Sequence, residues 1–242
     1  MRSLLAGIAF LTRVPVGRAI AFNRADVSRS AAWFPLIGLL LGAIYCLAAW
    51  LLRGHLPLIV ISVLLIALDA ILTGALHWDA LADTADGFGG GRSREDVLRI
   101  MRDHSIGSYG GVALVLGIAL KTTAYAALMA QGNWMVGIAL IPGLGRWSIL
   151  LLTAALPYAR ESPSVVEGIG KWPLAWGTVM IVLAITAARS GVAWIAMAAV
   201  AAVSALFAIY CRRRIAGITG DALGANLQLC ESAALLTFIW VR

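Results

Sequence analysis

Charge is what this 242-residue sequence has least of. Only 13% of its residues are Asp, Glu, Lys or Arg, and 61% are hydrophobic, whereas soluble domains carry about 25% charged and roughly 45–50% apolar residues. A single core in a chain of this length cannot bury so large an apolar excess. The composition therefore excludes an ordinary soluble domain and indicates a polytopic protein in a lipid bilayer.

Two further absences narrow the functional classes. The three cysteines, Cys46, Cys211 and Cys230, form no CxxC pair and have no histidine at metal-ligand spacing, so we interpret them as small apolar helix residues. No basic stripe is interleaved with aromatic residues, so the net charge of +7 does not indicate a nucleic-acid partner. In a membrane protein, such an excess usually marks arginines at cytoplasmic helix ends.

Seven stretches are apolar enough to cross a bilayer, which needs about 20 apolar residues per helix. Three carry no charge, namely residues 30–52, 172–188 and 190–211. Four carry one ionisable residue each: 56–76 with Asp69, 109–130 with Lys121, 134–157 with Arg146, and 222–241 with Glu231. We expect these charges to pair or to line a polar cavity, because lipid does not solvate them. The sequence predicts an all-α bundle of about seven spans, forming one domain over residues 1–242.

The basic residues orient the predicted bundle. With seven spans, the face that carries the N-terminus holds 14 Lys and Arg residues, and the opposite face holds 3. The positive-inside rule then places the N-terminus in the cytoplasm and the C-terminus outside. Residues 1–11 are interpreted as an uncleaved interfacial helix, because no small-x-small cleavage site follows and Arg13 interrupts the apolar run.

Three aspartates occupy the longest polar segment. Asp79, Asp83 and Asp86 stand at i, i+4 and i+7, and at about 100° per residue they fall within roughly 60° on one helix face. We expect this helix to extend the preceding span to the membrane surface. Like charges on one face repel unless neutralised, and hard oxygen ligands at this spacing suit Mg²⁺ or Mn²⁺ rather than zinc. A solvated acidic helix face is the alternative interpretation.

A glycine run follows the aspartates at residues 87–91, broken only by Phe88. We interpret it as a loop that lets a phosphate group approach the backbone closely. Arginines, which bind phosphate, come next at positions 92, 94, 99 and 102. Carboxylates, a divalent metal, glycines and arginines together favour metal-dependent phosphoryl transfer.

A second polar cluster contains Thr219, Gly220 and Asp221. It follows three arginines at residues 212–214, which we interpret as a topology anchor. Either Thr219 or Asp221 could cap the last helix. Asp221 also lies on the same predicted membrane face as the three aspartates, where it would add a ligand or position a hydroxyl.

These motifs resemble a known family. Residues 73–91, with HWDALADTADGFGG, and 100–111, IMRDHSIGSYGG, closely resemble cobalamin synthase, also called adenosylcobinamide-GDP ribazoletransferase or cobalamin 5′-phosphate synthase. Residues 10–15 resemble its N-terminal signature, and residues 217–225, followed by Glu231, resemble its C-terminal motif. Gln228 departs from the pattern, which more commonly has glutamate there.

The resemblance implies the last nucleotide-loop step of cobalamin biosynthesis. A ribose hydroxyl of α-ribazole or its 5′-phosphate would attack adenosylcobinamide-GDP, giving adenosylcobalamin or its 5′-phosphate and GMP. It also implies Mg²⁺ as cofactor and a bacterial inner membrane location, with the site facing the cytoplasm. Association into homo-oligomers or with other cobalamin-assembly enzymes is compatible with the sequence, although no residue specifies it.

The candidate residues come from the charge pattern and the resemblance together. The candidate catalytic residues are Asp79, Asp83, Asp86 and Asp221, of which the first three are the predicted metal ligands. Which carboxylate accepts the hydroxyl proton stays open. The candidate substrate-binding residues are Thr12, Arg13, His77, Gly87, Gly89, Gly90, Arg99, Arg102, Asp103, Lys121, Arg146, Thr219, Gly220 and Glu231.

Three other functions share some of these features. A membrane prenyltransferase would also use aspartates and Mg²⁺, but it would present two aspartate-rich motifs, and this chain has one and a lone Asp221. A CDP-alcohol phosphotransferase would need an alanine-arginine pair soon after Asp86-Gly87, where Phe88-Gly89 stands. A transporter would be expected to show paired repeats and charges near the midplane.

Overall fold

The apolar runs of the sequence form helices, which satisfy backbone hydrogen bonds within each segment, as lipid requires. A computed structural model describes residues 2–16, 21–103, 105–160, 169 and 171–241. Within these ranges the helices are α1 (Arg2–Leu11), α2 (Arg24–Ser30), α3 (Phe34–Leu52), α4 (Leu58–Thr73), α5 (Leu76–Gly90), α6 (Arg94–Ile100), α7 (Ser108–Met129), α8 (Trp134–Ala155), α9 (Lys171–Ala188), α10 (Gly191–Ile215) and α11 (Gly220–Trp240).

The all-α prediction is confirmed, and so is the number of spans. In the described part of the chain, six helices are long and apolar enough to cross a membrane, or up to seven if the bent pair α4–α5 counts as one span. The first span is continuous from α2 through a short 3₁₀ turn into α3. The predicted orientation of the termini stays a prediction.

The aspartate helix follows the preceding apolar helix only after a sharp bend, so the prediction of one continuous helix is wrong. α4 and α5 meet at 92°, because Gly74 and Ala75 both adopt left-handed backbone conformations, with φ of 66° and 57°. The Arg13 side chain lies directly over Gly74, where a Cβ would collide with the guanidinium group. Glycine is favoured at position 74 by its positive φ, and a larger residue there would also displace the Arg13 side chain.

The bend turns α5 back into the bundle, where it packs between α7 and α11. Gly224 of α11 faces Ala80 so closely that a Cβ on Gly224 would press into the Ala80 methyl group. Small residues at such an interface let two helix backbones approach each other. The first turn of α5 is consequently held beside the first turn of α11, and each turn carries an aspartate.

Charged side chains inside the spans pair with each other, as predicted. Glu231 accepts hydrogen bonds from Lys121 Nζ through Oε2 and from Arg146 Nη1 through Oε1, both at 2.6 Å. Arg146 also lies 3.9 Å from Asp69, which accepts a 2.7 Å hydrogen bond from the Tyr45 hydroxyl. We call these five residues the intramembrane network.

The network is electrically balanced and joins distant parts of the chain. Its two cations face two carboxylates, and the Gln228 amide oxygen accepts a further hydrogen bond from Lys121. Because Gln228 is neutral, it adds no third negative charge to the network, as the glutamate more common at this position would. The members belong to α3, α4, α7, α8 and α11, so the network fixes the relative positions of five helices in lipid, where an unpaired charge would be costly.

We predict that Glu231→Ala destabilises the protein strongly. It leaves Lys121 and Arg146 buried without their carboxylate, which typically costs about 3–5 kcal/mol. Thermal unfolding of the detergent-solubilised variant measures the loss. Ser232→Ala is the matched control, because its hydroxyl only bonds the Gln228 carbonyl in the same helix. Equal unfolding temperatures for the two variants would contradict the network's structural role.

Candidate active site

Two of the predicted catalytic aspartates share one cavity. Asp79 and Asp221 line a cavity of about 170 Å³, bounded mainly by apolar side chains of α1, α2, α3, α5, α8 and α11. Asp79 is exposed and Asp221 is half-buried. They lie close enough for the negative charge of Asp79 to act on Asp221. The bend before α5 thus brings together carboxylates that are 142 positions apart in sequence.

The start of α11 has a built N-terminal cap. The Thr219 hydroxyl accepts a hydrogen bond from the Ala222 backbone N–H at 3.1 Å, so Thr219 fills the capping role that we had considered for it or for Asp221. Asp221 stands in the first turn, where the helix dipole favours a negative charge. Gly220, another candidate, also lines the cavity.

Arg160 is a site residue that the sequence analysis missed. Its Nη2 donates to Asp221 Oδ2 at 2.7 Å. The segment that carries Arg160 is held against the start of α11, because Ala159 N–H donates to the Ile218 carbonyl at 2.8 Å and Ile218 N–H donates to the Pro157 carbonyl at 2.9 Å. No local motif surrounds Arg160. The only signal in the sequence is that its loop lies on the same predicted face as Asp221.

Asp86 anchors the start of α7 instead of facing the cavity. The structure buries it, and its two carboxylate oxygens accept hydrogen bonds from Gly107 N–H at 2.7 Å and Gly110 N–H at 2.9 Å. These amides belong to the start of α7, which would otherwise have unsatisfied donors. A Cβ at either glycine would collide with the carboxylate. Asp86 therefore fixes α5 against α7, while each oxygen keeps a further lone pair.

Asp83 lies between Asp79 and Asp86 on α5 and is half-buried. It does not line the cavity that contains Asp79 and Asp221. Among the described residues, no three His, Cys, Asp or Glu side chains form a ready-made metal cluster. Magnesium in phosphate sites commonly takes one or two carboxylates together with water and substrate phosphates. Asp79 and Asp83, one helical turn apart, are donors of that kind, so the predicted ligand set remains a prediction.

The arginines after α5 form a groove next to the aspartates. Arg94, Arg99, Arg102 and Arg160 line a groove of about 320 Å³. Arg94 is fixed by hydrogen bonds to the carbonyls of Ile215 and Ala159, whereas the predicted phosphate contacts Arg99 and Arg102 are exposed. Arg160 belongs to both sites, because it lines the groove and holds Asp221.

The glycine run is helical, so the predicted loop is wrong. α5 continues to Gly90, and its last turn packs tightly on its neighbours: a Cβ on Gly87 would collide with Met101, and one on Gly89 with the Tyr109 ring. Backbone amides in a helix are already hydrogen-bonded. Packing, rather than a phosphate cradle, explains these two glycines in the structure, and Gly90 is exposed.

One arginine of the triplet at residues 212–214, Arg214, has a structural role. Its Nη2 donates to the carbonyls of Phe88 and Gly91 at 2.8 and 2.7 Å. It therefore satisfies carbonyls at the C-terminal end of α5, where a positive charge is favourable. The triplet was interpreted as a topology anchor, and in addition it joins α10 to the helix of the aspartates.

The remaining candidates lie in five different places. His77 is buried on the cavity wall, and its Nε2 has no hydrogen-bond partner among the described residues. Thr12 donates to the Ile8 carbonyl at the end of α1, and Asp103 accepts from Ser105 N–H after α6; neither lines the cavity. Lys121, Arg146 and Glu231 are engaged with each other in the intramembrane network, and Arg13 covers Gly74.

These features define a class of protein: a multi-pass membrane enzyme in which an apolar cavity that carries two aspartates adjoins a basic groove at one end of a helical bundle. The chain matches the model of a family described as Cobalamin-5-phosphate synthase over residues 3–239, and it belongs to that family. The family resemblance of the sequence motifs is thereby confirmed.

Curated relatives agree with this membership. Proteins named adenosylcobinamide-GDP ribazoletransferase are 37% identical in Rhizobium etli (94% of this chain and 92% of the relative), 36% in Ralstonia nicotianae (99% and 94%) and 35% in Clostridium botulinum strain Okra (100% and 98%). No solved structure matches this chain.

We predict that Asp86→Asn loosens the junction of α5 and α7. The amide nitrogen cannot accept from a backbone N–H, so one buried donor loses its partner, at a cost of about 1–3 kcal/mol. Thermal unfolding measures the change. Asp96→Asn is the control, because Asp96 makes only a surface ion pair with Arg99 beyond its backbone role and should change stability by less than about 1 kcal/mol. Equal effects would contradict the anchoring role.

Proposed function

We propose that this chain is an adenosylcobinamide-GDP ribazoletransferase. It transfers the adenosylcobinamide-phosphate group to α-ribazole or its 5′-phosphate and releases GMP, which is the last assembly step of the cobalamin nucleotide loop. The observation that carries this proposal is the match to the family over residues 3–239. The joint presence of Asp79 and Asp221 at one cavity supports it, because carboxylates can hold the metal and accept the proton when a hydroxyl attacks a diphosphate.

The basic groove suits the diphosphate of the donor. Arg99 and Arg102 are exposed and line the groove with Arg160, and arginine binds phosphate oxygens with paired hydrogen bonds. Because Arg160 also holds Asp221, a diphosphate in the groove would lie next to the carboxylates. Charge that builds up on the leaving GMP would be stabilised by these guanidinium groups.

We propose that Asp79 and Asp83 hold a Mg²⁺ ion and that Asp221 accepts the proton of the attacking hydroxyl. Magnesium, when bound, would neutralise the transferring phosphate and the leaving group. Asp221 stands on a different helix from the proposed ligands and lines the cavity. A general base must reach the hydroxyl that it deprotonates, and the cavity offers that access. Asp86 contributes by fixing α5 in position.

We propose that the site faces the cytoplasm from a bacterial inner membrane, and the distribution of basic residues supports this orientation. The face that carries α5, α6 and the start of α11 holds most of the basic residues, 14 against 3, and the positive-inside rule assigns such a face to the cytoplasm. Phosphorylated nucleotide substrates would reach the groove from that side. The lipid bilayer surrounds the remaining helices.

An assay of the purified, lipid-reconstituted protein tests the proposal. With adenosylcobinamide-GDP, α-ribazole 5′-phosphate and Mg²⁺, we expect both GMP and the corrinoid product by mass spectrometry, and neither product after addition of EDTA. Asp83→Asn should lower turnover by at least about a thousandfold if it removes a ligand of the metal on which the chemistry depends.

Arg213→Ala is the control variant, because Arg213 is exposed and adjoins Arg214 without lining the cavity or the groove. Because Arg213 is part of the predicted topology anchor, the substitution should affect orientation or expression more than chemistry. Turnover per correctly inserted molecule should stay near normal. Absence of product from correctly inserted wild-type protein would reject the proposed reaction. Product formation that is unaffected by EDTA or by Asp83→Asn would reject the metal site and leave the reaction intact.

A further inference from the structure

We infer that the apolar cavity beside Asp79 and Asp221 binds the heterocyclic base of the ribazole acceptor and thereby selects the acceptor. The inference rests on the proposed function and assigns one of its two substrates to a place in the fold. Neither substrate is assigned to a cavity by the family match or by the names of the relatives.

The walls of the cavity suit a flat apolar ring. Phe10 and Phe34 lie with their rings nearly parallel, at 9° and 6.0 Å between centroids, and both line the cavity together with Leu76, Ile149 and Leu223. Aromatic rings and branched aliphatic side chains favour an aromatic ligand through burial and offset stacking. The charged groups, Asp79 and Asp221, stand at the helix starts that border the same space.

The size of the cavity excludes the other large group in the reaction. An apolar cavity of about 150 Å³ holds one benzene molecule in a well-studied case, so a cavity of about 170 Å³ suits a small aromatic ring system. A corrin macrocycle is far too large for it. The corrinoid must therefore remain outside, which leaves the base of the acceptor and the guanine of the donor as the parts of the substrates that could enter.

The chemistry of the walls favours the acceptor base over guanine. Guanine carries donors and acceptors along its ring edge. With Asp79 assigned to the metal and Asp221 to the attacking hydroxyl, the apolar wall residues offer these groups no partners, and each unpaired group costs about 1–3 kcal/mol. Dimethylbenzimidazole, the base of ribazole, has two methyl groups and one free ring nitrogen once it is glycosylated. The imidazole of His77 lines the cavity and is the type of side chain that can hydrogen-bond such a nitrogen.

This placement orients the reaction. With the base among the apolar side chains, the attached ribose lies toward Asp79 and Asp221. A ribose hydroxyl oxygen attacks the phosphorus that is bonded to cobinamide, and a new P–O bond forms. The P–O bond to GMP breaks, and GMP leaves with the electron pair. The hydroxyl proton passes to Asp221, so atoms and charges balance.

Narrowing the cavity tests the inference. Leu76 lines it and is 41% exposed, so Leu76→Trp should reduce the space without disturbing the core. We expect the KM for α-ribazole 5′-phosphate to rise about tenfold, equivalent to losing two buried methyl groups, while the KM for adenosylcobinamide-GDP stays within about twofold. Ile71→Trp is the matched control: Ile71 is 70% exposed on α4 and does not line the cavity, so neither KM should change.

An acceptor analogue gives an independent readout. Replacing dimethylbenzimidazole by benzimidazole removes two methyl groups, which should raise the acceptor KM of the wild-type enzyme on the order of tenfold. In Leu76→Trp this difference between the two acceptors should largely disappear, because the narrowed cavity no longer buries the methyl groups. If Leu76→Trp does not insert, Phe10→Ala, at an exposed wall position, is used instead. It removes an aromatic ring from the wall, so the acceptor KM should again rise and the difference between the two acceptors should shrink, while the donor KM stays within about twofold.

The outcomes separate this inference from the proposed function. Wild-type protein without any product would reject the function itself. With an active wild-type enzyme, a rise in the donor KM alone would assign the cavity to the donor and overturn the inference. Unchanged KM values for both substrates, with equal use of both acceptor bases, would show that the cavity binds another ligand, such as a lipid chain, and would also overturn it.

Discussion

The site depends on the bend between α4 and α5. An apolar span cannot continue into lipid as a helix with three aspartates, because charge is not solvated there. Gly74 and Ala75, both left-handed, turn the chain by 92°, and Arg13 lies over the corner. The turned helix packs between α7 and α11. Without the bend, Asp79 could not reach the start of α11. The cavity that holds Asp79 and Asp221 would then not form next to the basic groove.

Lipid as the solvent explains where the remaining charges lie. Inside the spans, Lys121, Arg146, Glu231 and Asp69 are balanced against each other, so they act mainly on the relative positions of the helices. At the end of the bundle where α5 and α11 begin, the charges are less fully paired. Asp221 is held by a single arginine and lines a cavity. Structural charges are thus buried and paired with opposite charges, whereas the carboxylates proposed to act on substrate line a cavity. The same separation explains why the intramembrane candidates do not line the cavity.

The sequence predicted those parts of the fold that follow from local chemistry. Apolar run lengths predict the spans. That the intramembrane charges pair with each other also follows from the sequence, because unpaired charges are costly in lipid, although the sequence does not say which cation meets which carboxylate. The bend was not predictable from local propensity, since alanine rarely adopts the left-handed conformation found at Ala75. The contact between Arg160 and Asp221 joins residues 61 positions apart, and no periodicity marks it. A glycine-rich segment typical of a loop became helical because neighbouring side chains fill the space that its missing Cβ atoms leave.

Cross-linking across the cavity is the most direct test of the central claim, that the bend brings the first turn of α5 to the first turn of α11. In membranes, Asp79→Cys combined with Asp221→Cys should react rapidly with a short bis-maleimide, in a background in which Cys46, Cys211 and Cys230 are replaced by alanine. Arg53→Cys combined with Asp221→Cys should not react, because Arg53 follows α3 at the opposite end of the bundle. Failure of the first pair to cross-link, while each single cysteine is still labelled, would contradict the account.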